Sequence, residues 1–120
     1  MTNLATRCSS SKYHNKPVNY DGFTFDSQAE RARYCELLLL EKAGQIEHLE
    51  VHPRFVLQYG FTGASGIKYR TLVYEADFQY IEDGKAIVED VKGYATREWR
   101  IKVMLFEMKF PDLKLRVTNV

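Results

Sequence analysis

The dipeptide Asp83-Gly84 lies between two runs of strand-forming residues, and it restricts the fold of this chain more than any other feature. A two-residue hairpin of type I′ needs positive φ at both central positions, and Asp-Gly is one of the pairs that supply it. The flanking segments, YEADFQYIE and KAIVEDVKGY, are rich in β-branched and aromatic residues. The sequence therefore predicts an antiparallel hairpin centred on this pair.

Three charged residues interrupt the apolar pattern of this hairpin. Asp77 and Asp90 stand at equal distances from the turn, so a two-residue turn places them directly opposite each other. Their Cβ atoms would then be about 4.5–5.5 Å apart. Lys92 follows two residues after Asp90 and is predicted to lie on the same face. Like charges directly opposite each other destabilise a sheet, so this pairing needs an explanation.

Two explanations fit the paired aspartates. The face can be solvated, with both carboxylates pointing into water. Alternatively, a divalent cation lies between them, because Mg²⁺ binds hard oxygen ligands, typically one or two carboxylates with water and substrate phosphate. The backbone carbonyl of Val91 is placed to add another ligand. The spacing favours the metal, and we expect Mg²⁺, with Mn²⁺ able to replace it.

The rest of the sequence predicts an α/β domain. The expected order is an arm, a helix, three strands, a helix and a strand, giving a mostly antiparallel central sheet flanked by two helices. The helices are predicted at residues 27–43, closed by a glycine, and at about residues 97–109. Residues 1–22 are predicted to form a basic N-terminal arm, and residues 23–120 a single domain.

Asp77, followed on the next strand by Asp90-Val91-Lys92, resembles the D…(D/E)xK signature of the PD-(D/E)XK nuclease superfamily, with Ala76 in place of the usual proline. The predicted elements over residues 27–118 are similar to that superfamily's αβββαβ core, the restriction-endonuclease-like fold. Together with KYHNKPVNYDGFTFDSQAE, they also resemble a small phage-encoded family assigned to the superfamily. The resemblance implies a metal-dependent endonuclease that hydrolyses phosphodiester bonds of DNA.

The superfamily often adds a glutamate from its first helix, and Glu30 stands at the matching position. A second role is open to this residue. Ser27 and Glu30 have the spacing of a capping box, in which the glutamate accepts a hydrogen bond from the N-cap amide. The spacing does not separate a metal ligand from a helix cap, and we favour the ligand.

The resemblance assigns roles to the hairpin residues. Asp77 and Asp90, with Glu30, are the expected metal ligands and catalytic carboxylates. Lys92 is expected to orient the attacking water or to stabilise developing negative charge. Glu75, which faces Lys92 in the predicted register, is expected to hold the lysine in position. Glu89 is predicted to point to the opposite face and to lie outside the site.

Two other features are predicted to have no part in the site. His48 and His52 are four residues apart, but Pro53 follows and the stretch lacks a helical pattern, so no zinc pair is expected. Trp99 falls at helical spacing with Val103 and two phenylalanines, which indicates a core position.

A nucleic-acid surface would have to come from locally grouped basic residues, because the formal net charge is only +1. The last third of the chain carries a formal excess of positive charge. A solvated helix face explains such charges equally well at any one position. Phosphate contacts would give salt-dependent, largely sequence-independent binding. The predicted DNA contacts are Lys12, Lys16, Arg97, Arg100 and Lys102.

We expect a structure-selective enzyme, because 120 residues leave no room for a separate specificity domain. Small Holliday junction resolvases, which work as homodimers, are the analogy, with branched or duplex DNA as partner in phage DNA processing or recombination. A nicking or general DNA-processing nuclease and a catalytically silent DNA-binding module of the same fold are the alternatives, and RNA stays open as a substrate. No apolar stretch suits a membrane span or a signal peptide, so we expect a cytoplasmic protein, in the host cell if phage-encoded.

Overall fold

The computed structural model describes residues 16–119, which form ten strands and two helices. The helices are α1 (Gln28–Lys42) and α2 (Arg97–Lys109), close to their predicted bounds. The strands are β1 (Val18–Tyr20), β2 (Phe23–Phe25), β3 (Glu47–Val51), β4 (Arg54–Gln58), β5 (Phe61–Thr62), β6 (Lys68–Tyr69), β7 (Leu72–Glu75), β8 (Phe78–Glu82), β9 (Lys85–Lys92) and β10 (Lys114–Asn119).

The central sheet has four strands in the order β10-β9-β8-β3. β8 pairs antiparallel with both β3 and β9, whereas β10 pairs parallel with β9. Helix α2 lies between β9 and β10 in the chain and supplies the crossover that a parallel pair requires. The three other sheets are two-stranded and antiparallel. The prediction of two helices with mostly antiparallel strands is therefore confirmed.

The turn between β8 and β9 has the predicted geometry. Asp83 and Gly84 have φ values of 52° and 75°, so both central positions are left-handed. The ladder runs from Glu82 opposite Lys85, beside the turn, to Phe78 opposite Glu89. This is the register that a two-residue turn imposes. Asp77 lies directly before Phe78, the residue at which the ladder ends.

The strand predicted through Asp77 is interrupted at that residue. β7 pairs with β4 in a separate sheet, while β8 belongs to the central sheet. Between them, the N–H of Ala76 donates to the carbonyl of Pro53 at 3.1 Å, and the N–H of Asp77 donates to the carbonyl of Glu89 at 3.1 Å. The chain changes partner strand at this point, so the side chain of Asp77 lies at a break between two sheets.

Two further elements were not predicted. β3 is rich in charged residues and pairs with β8 through an irregular register. The β1-β2 hairpin includes Val18–Tyr20, which the sequence analysis assigned to the arm. Tyr20 packs against the core and meets the ring of Tyr34 edge-on, with centroids 6.2 Å apart. The folded part of the chain therefore includes this strand.

Strand β9 is covered on both faces by apolar clusters. Neighbouring residues of a strand point to opposite sides, so they join different clusters. Ile87 packs in the cluster of α1, together with Tyr34 and Leu37. Val88 packs in the cluster of α2, together with Phe106. Odd-numbered residues of this part of β9 therefore face α1 and even-numbered residues face α2, a division that sorts the acidic residues described next.

A candidate metal centre at the break between the sheets

Glu30 lies in the first turn of α1 and is buried, with an exposed fraction of 3 %. Its N–H donates to Ser27 Oγ at 3.2 Å, as in a capping box. Its Oε2 accepts from the N–H of Asp26, the residue before the cap, at 3.2 Å, while its Oε1 lies 2.8 Å from His52 Nε2. One oxygen therefore serves the helix terminus and the other faces the candidate site, so the two roles considered for Glu30 are compatible.

His52 follows β3 in a left-handed conformation, with φ of 56°. Its N–H donates to the backbone carbonyl of Asp77 at 2.9 Å, which ties the histidine to the strand break. Its ring lies beside Phe25, with centroids 5.8 Å apart. In the sequence, His52 stands out only as half of a pair with His48, which is exposed. No spacing signal marks His52, because its neighbours come from β2, α1 and the residue before β8.

Glu30, His52 and Asp77 are brought together although they are far apart in the sequence. Each offers a ligand atom, and these atoms all lie within 4.8 Å of one another. Two carboxylates and an imidazole form a donor set that suits a divalent metal ion. Among residues 16–119, the salt-bridge partner of Glu30 is His52, and neither carboxylate pairs with a lysine or arginine. The negative charge of the group is thus poorly compensated, which a bound cation would correct.

The pKa of Asp77 is raised to about 9, chiefly by burial and then by the negative charges of Glu30 and Asp90. The N–H of Val91, which donates to Asp77 Oδ2 at 2.7 Å, opposes this rise only in part. Burial also raises the pKa of Glu30. In the absence of a metal ion, Asp77 therefore holds a proton at neutral pH, and a metal ion would take the place of that proton.

We predict that the metal-free protein loses stability as the pH rises through the neutral range. The carboxyl of Asp77 has a pKa of about 9 in the folded state and about 3.9 when unfolded. Between these values the folded state holds a proton that the unfolded state has lost, so raising the pH favours unfolding. The expected slope is up to about 1.4 kcal/mol per pH unit. Urea unfolding in EDTA between about pH 5.5 and 8.5 measures it.

Asp77→Asn is expected to flatten this slope, since the amide does not titrate. Asp83→Asn, the same change at the exposed hairpin turn, is expected to keep it. Glu89 does not interfere: burial alone would raise its pKa, but hydrogen bonds from Arg33 and Tyr80 hold that pKa below the usual value. Its contribution is therefore lost only at pH below this window. A wild-type stability that stays level or rises with pH would contradict the prediction.

Asp90 lies on the α2 side of β9 and is buried to 1 % exposure. Its Oδ2 accepts hydrogen bonds from the Tyr74 hydroxyl and from Trp99 Nε1, the latter at 2.7 Å. The Asp90 carboxyl is also within hydrogen-bonding reach of Asp77. Among the described residues, the ligand atoms within 4.8 Å are those of Glu30, His52 and Asp77, and Asp90 adjoins this group through Asp77.

Tyr74 and Trp99 are functional candidates that the sequence analysis missed. Trp99 does pack against the α2 cluster, as predicted, but its indole N–H is directed at Asp90. Burial and the negative charge of Asp90 raise the pKa of Tyr74, so its hydroxyl stays protonated and donates to the carboxylate. These donors hold Asp90 in one orientation. A tryptophan at a core-facing helical position gives no sequence signal of this second contact.

Lys92 lies on the same side of β9 as Asp90, as predicted. Its Nζ lies over the Trp99 ring, 5.5 Å from the centroid. The expectation that Glu75 positions Lys92 is not met: Glu75 Oε1 pairs with Arg54 at 3.4 Å, because β7 leaves the central sheet before the break.

Val91 presents its N–H to Asp77, as described above. In an extended strand the N–H and C=O of one residue point to the same side, so the Val91 carbonyl is directed towards the strand break as well. This orientation is compatible with the predicted role of that carbonyl as a ligand.

Glu89 faces the opposite side of the sheet from Asp90, as predicted, and is fully buried. Arg33 of α1 donates to it twice, from Nε at 2.6 Å and from Nη2 at 3.0 Å. Tyr80 and Thr118 donate further hydrogen bonds, at 2.5 Å and 2.9 Å. These contacts satisfy the Glu89 carboxylate within the fold, which explains how it can be buried outside the candidate metal centre.

The predicted DNA-contacting residues lie mostly on α2. Arg97 and Arg100 are exposed, and Lys102 is half-buried with its Nζ 3.4 Å from Glu98. Trp99, in the same first turns, touches the candidate site, so this end of α2 adjoins it. Lys16 is exposed at the start of the described chain. Lys12 lies outside the described residues.

The fold and the site define a small protein of two helices and mostly antiparallel sheets, with carboxylate and imidazole groups that can hold a metal ion. The chain belongs to the family described as "Protein of unknown function (DUF1064)", whose model matches residues 10–119. No curated protein and no solved structure matches it. Within the described residues, neither helix is long and apolar enough to cross a membrane.

Proposed function

We propose that this protein is a divalent-cation-dependent endonuclease that hydrolyses phosphodiester bonds of DNA and is selective for branched structures. The observation that carries the proposal is the buried group of Glu30 and Asp77, with Asp90 beside it and Lys92 on the same side of β9. Buried carboxylates at this density destabilise a fold unless a proton or a cation compensates them. The placement of these carboxylates therefore fits a cation-binding site.

The residues that would hold the cation are Glu30, Asp77 and Asp90, with the carbonyl of Val91. When bound, Mg²⁺ or Mn²⁺ would supply a Lewis acid for the scissile phosphate and lower the pKa of a coordinated water. The protein contributes the fixed positions of its carboxylates. Tyr74 and Trp99 orient Asp90, and the backbone of Val91 orients Asp77.

Lys92 is the residue proposed to act on charge that develops at the phosphate. Its ammonium group is held over the Trp99 ring, at the α2 side of the site. An ammonium group suits the stabilisation of negative charge better than proton abstraction. The contact with Trp99 restricts where this charge can move.

The topology supports membership of the PD-(D/E)XK superfamily. Helix α1 packs on one face of the central sheet and α2 on the other. β8, which begins directly after Asp77, and β9, which carries Asp90 and Lys92, are antiparallel neighbours, and β10 returns parallel to β9 through α2. The helices and the strands of the central sheet follow one another as α1, β3, β8, β9, α2 and β10, an order that supports the αβββαβ core implied by the resemblance.

Substrate contacts are proposed at the exposed end of α2. Arg97 and Arg100, with Lys102, would bind DNA phosphates, while Lys16 and Lys12 would reach them from the N-terminal arm. Such contacts are independent of sequence, and they suit an enzyme that distinguishes DNA by shape. A homodimer would place two sites on one four-way junction.

Incubation of the purified protein with Mg²⁺ or Mn²⁺ and a panel of duplex, flapped and four-way DNAs tests this function. Cleavage of the four-way junction alone, abolished by EDTA, is the expected result. Nicking of plain duplex DNA would indicate a general DNA-processing nuclease and not one selective for branched DNA. Binding without any cut would identify a silent DNA-binding module and contradict the enzyme proposal. A matched set of RNA substrates determines which nucleic acid is cut.

A further inference from the structure

We propose that His52 is a direct ligand of the metal ion and that it makes this site select a first-row transition ion, represented by Mn²⁺, over Mg²⁺. The inference rests on the metal site of the proposed function and adds to it the identity of the preferred cation. It is carried by the position of the imidazole, which no part of the D…(D/E)xK signature requires.

The distances fit a shared ion. His52 Nε2 and Glu30 Oε1 are 2.8 Å apart. Neighbouring ligands of an octahedral ion with bonds of about 2.0–2.1 Å lie about 3 Å apart, and opposite ligands lie about 4.2 Å apart. The whole group, including Asp77, falls within 4.8 Å. With the most distant pair in opposite positions, a contraction of less than about 1 Å would bring all three ligand atoms onto one ion.

The backbone holds His52 in place for this role. A left-handed conformation is uncommon for residues other than glycine, although histidine adopts it more often than most, and the surrounding structure fixes it at His52. Here the N–H of His52 is bound to the carbonyl of Asp77, and the next carbonyl, of Pro53, accepts from Ala76. Two proposed ligands, His52 and Asp77, are therefore connected through backbone hydrogen bonds. His48 has a similar φ of 55°, yet it is exposed and outside the group.

The donor chemistry sets the preference. Mg²⁺ is a hard ion that binds oxygen ligands and retains several waters. Imidazole nitrogen is a borderline donor that suits first-row transition ions, whereas carboxylates also serve Mn²⁺. Adding the imidazole of His52 to the carboxylates of the site therefore favours Mn²⁺ over Mg²⁺. The all-oxygen ligand set inferred from the sequence would show a smaller difference and no nitrogen ligand.

The test is metal binding without DNA, by calorimetric titration with MnCl₂ and MgCl₂ and by pulsed electron paramagnetic resonance of bound Mn²⁺. Wild type is expected to bind Mn²⁺ at least about tenfold more tightly than Mg²⁺, with a nitrogen hyperfine coupling. His52→Asn keeps a residue that tolerates left-handed backbone and offers an amide oxygen instead. It is expected to lose about 10- to 100-fold in Mn²⁺ affinity, to keep its Mg²⁺ affinity, and to lose the nitrogen coupling.

His48→Asn is the matched control, because it makes the same change at a left-handed histidine outside the group, and it is expected to behave as wild type. Equal affinities for the two ions, or no nitrogen coupling in wild type, would overturn the role of His52 even if the protein cuts DNA with Mg²⁺. The measurements on wild type test the role of His52 whether or not the variants fold. Absence of metal binding together with absence of cleavage would overturn the nuclease proposal as well.

Discussion

Asp77→Asn is expected to lower the rate of DNA cleavage by about a thousandfold while the protein stays folded. Asp77 is the residue common to both parts of the site, because it contacts Asp90 and belongs to the group with Glu30 and His52. Asparagine has nearly the same shape and can still accept the hydrogen bond from Val91, so the strand break is preserved. The substitution removes the negative charge, on which the proposed metal ion would depend.

Single-turnover cleavage of a labelled four-way junction measures this effect, and circular dichroism with urea unfolding shows that the fold is kept. Asp83→Asn, six residues along the same strand and turn, makes the same chemical change on an exposed residue and is expected to cleave as wild type. Full activity of the Asp77 variant in excess metal would show that the strand break is not the catalytic centre.

Glu89→Ala is expected to lower the free energy of unfolding by about 3–5 kcal/mol. The substitution leaves Arg33 without its principal partner; the Arg33 side chain is 21 % exposed, and Glu89 itself is fully buried. It also removes the acceptor for the hydroxyls of Tyr80 and Thr118. Removing one member of a buried ion pair costs more than the pair contributes, because the remaining charge stays desolvated.

Denaturant unfolding of wild type and variant measures this loss. Glu36→Ala is the matched control, since Glu36 pairs with the same Arg33 at 3.1 Å but is 65 % exposed. An exposed pair of this kind contributes about 0–1 kcal/mol, so the control is expected to be nearly neutral. Because Glu89 lies on the face opposite Asp90, cleavage per folded Glu89→Ala molecule should persist. A stable but inactive Glu89 variant would place this residue in the site.

Much of the fold was predictable because the signals are local. The Asp83-Gly84 turn defines the register of β8 and β9. Because side chains alternate along a strand, Asp90 and Glu89 lie on opposite faces. The two helices follow from apolar spacing and caps within single segments, Ser27 for α1 and Thr96 for α2. β3 was missed because its composition is charged and its ladder irregular, so the pairing with β8 decides its conformation.

The sequence by itself determined the hairpin, its register and the sidedness of its acidic residues, since a turn type and a period of two are properties of adjacent residues. Only the tertiary structure decided that the strand breaks at Asp77, that Glu75 pairs away from the site, and that His52 meets Glu30. Those contacts join segments from α1, the end of β3 and the start of β8. No local preference encodes them, because they exist only once separate sheets are packed.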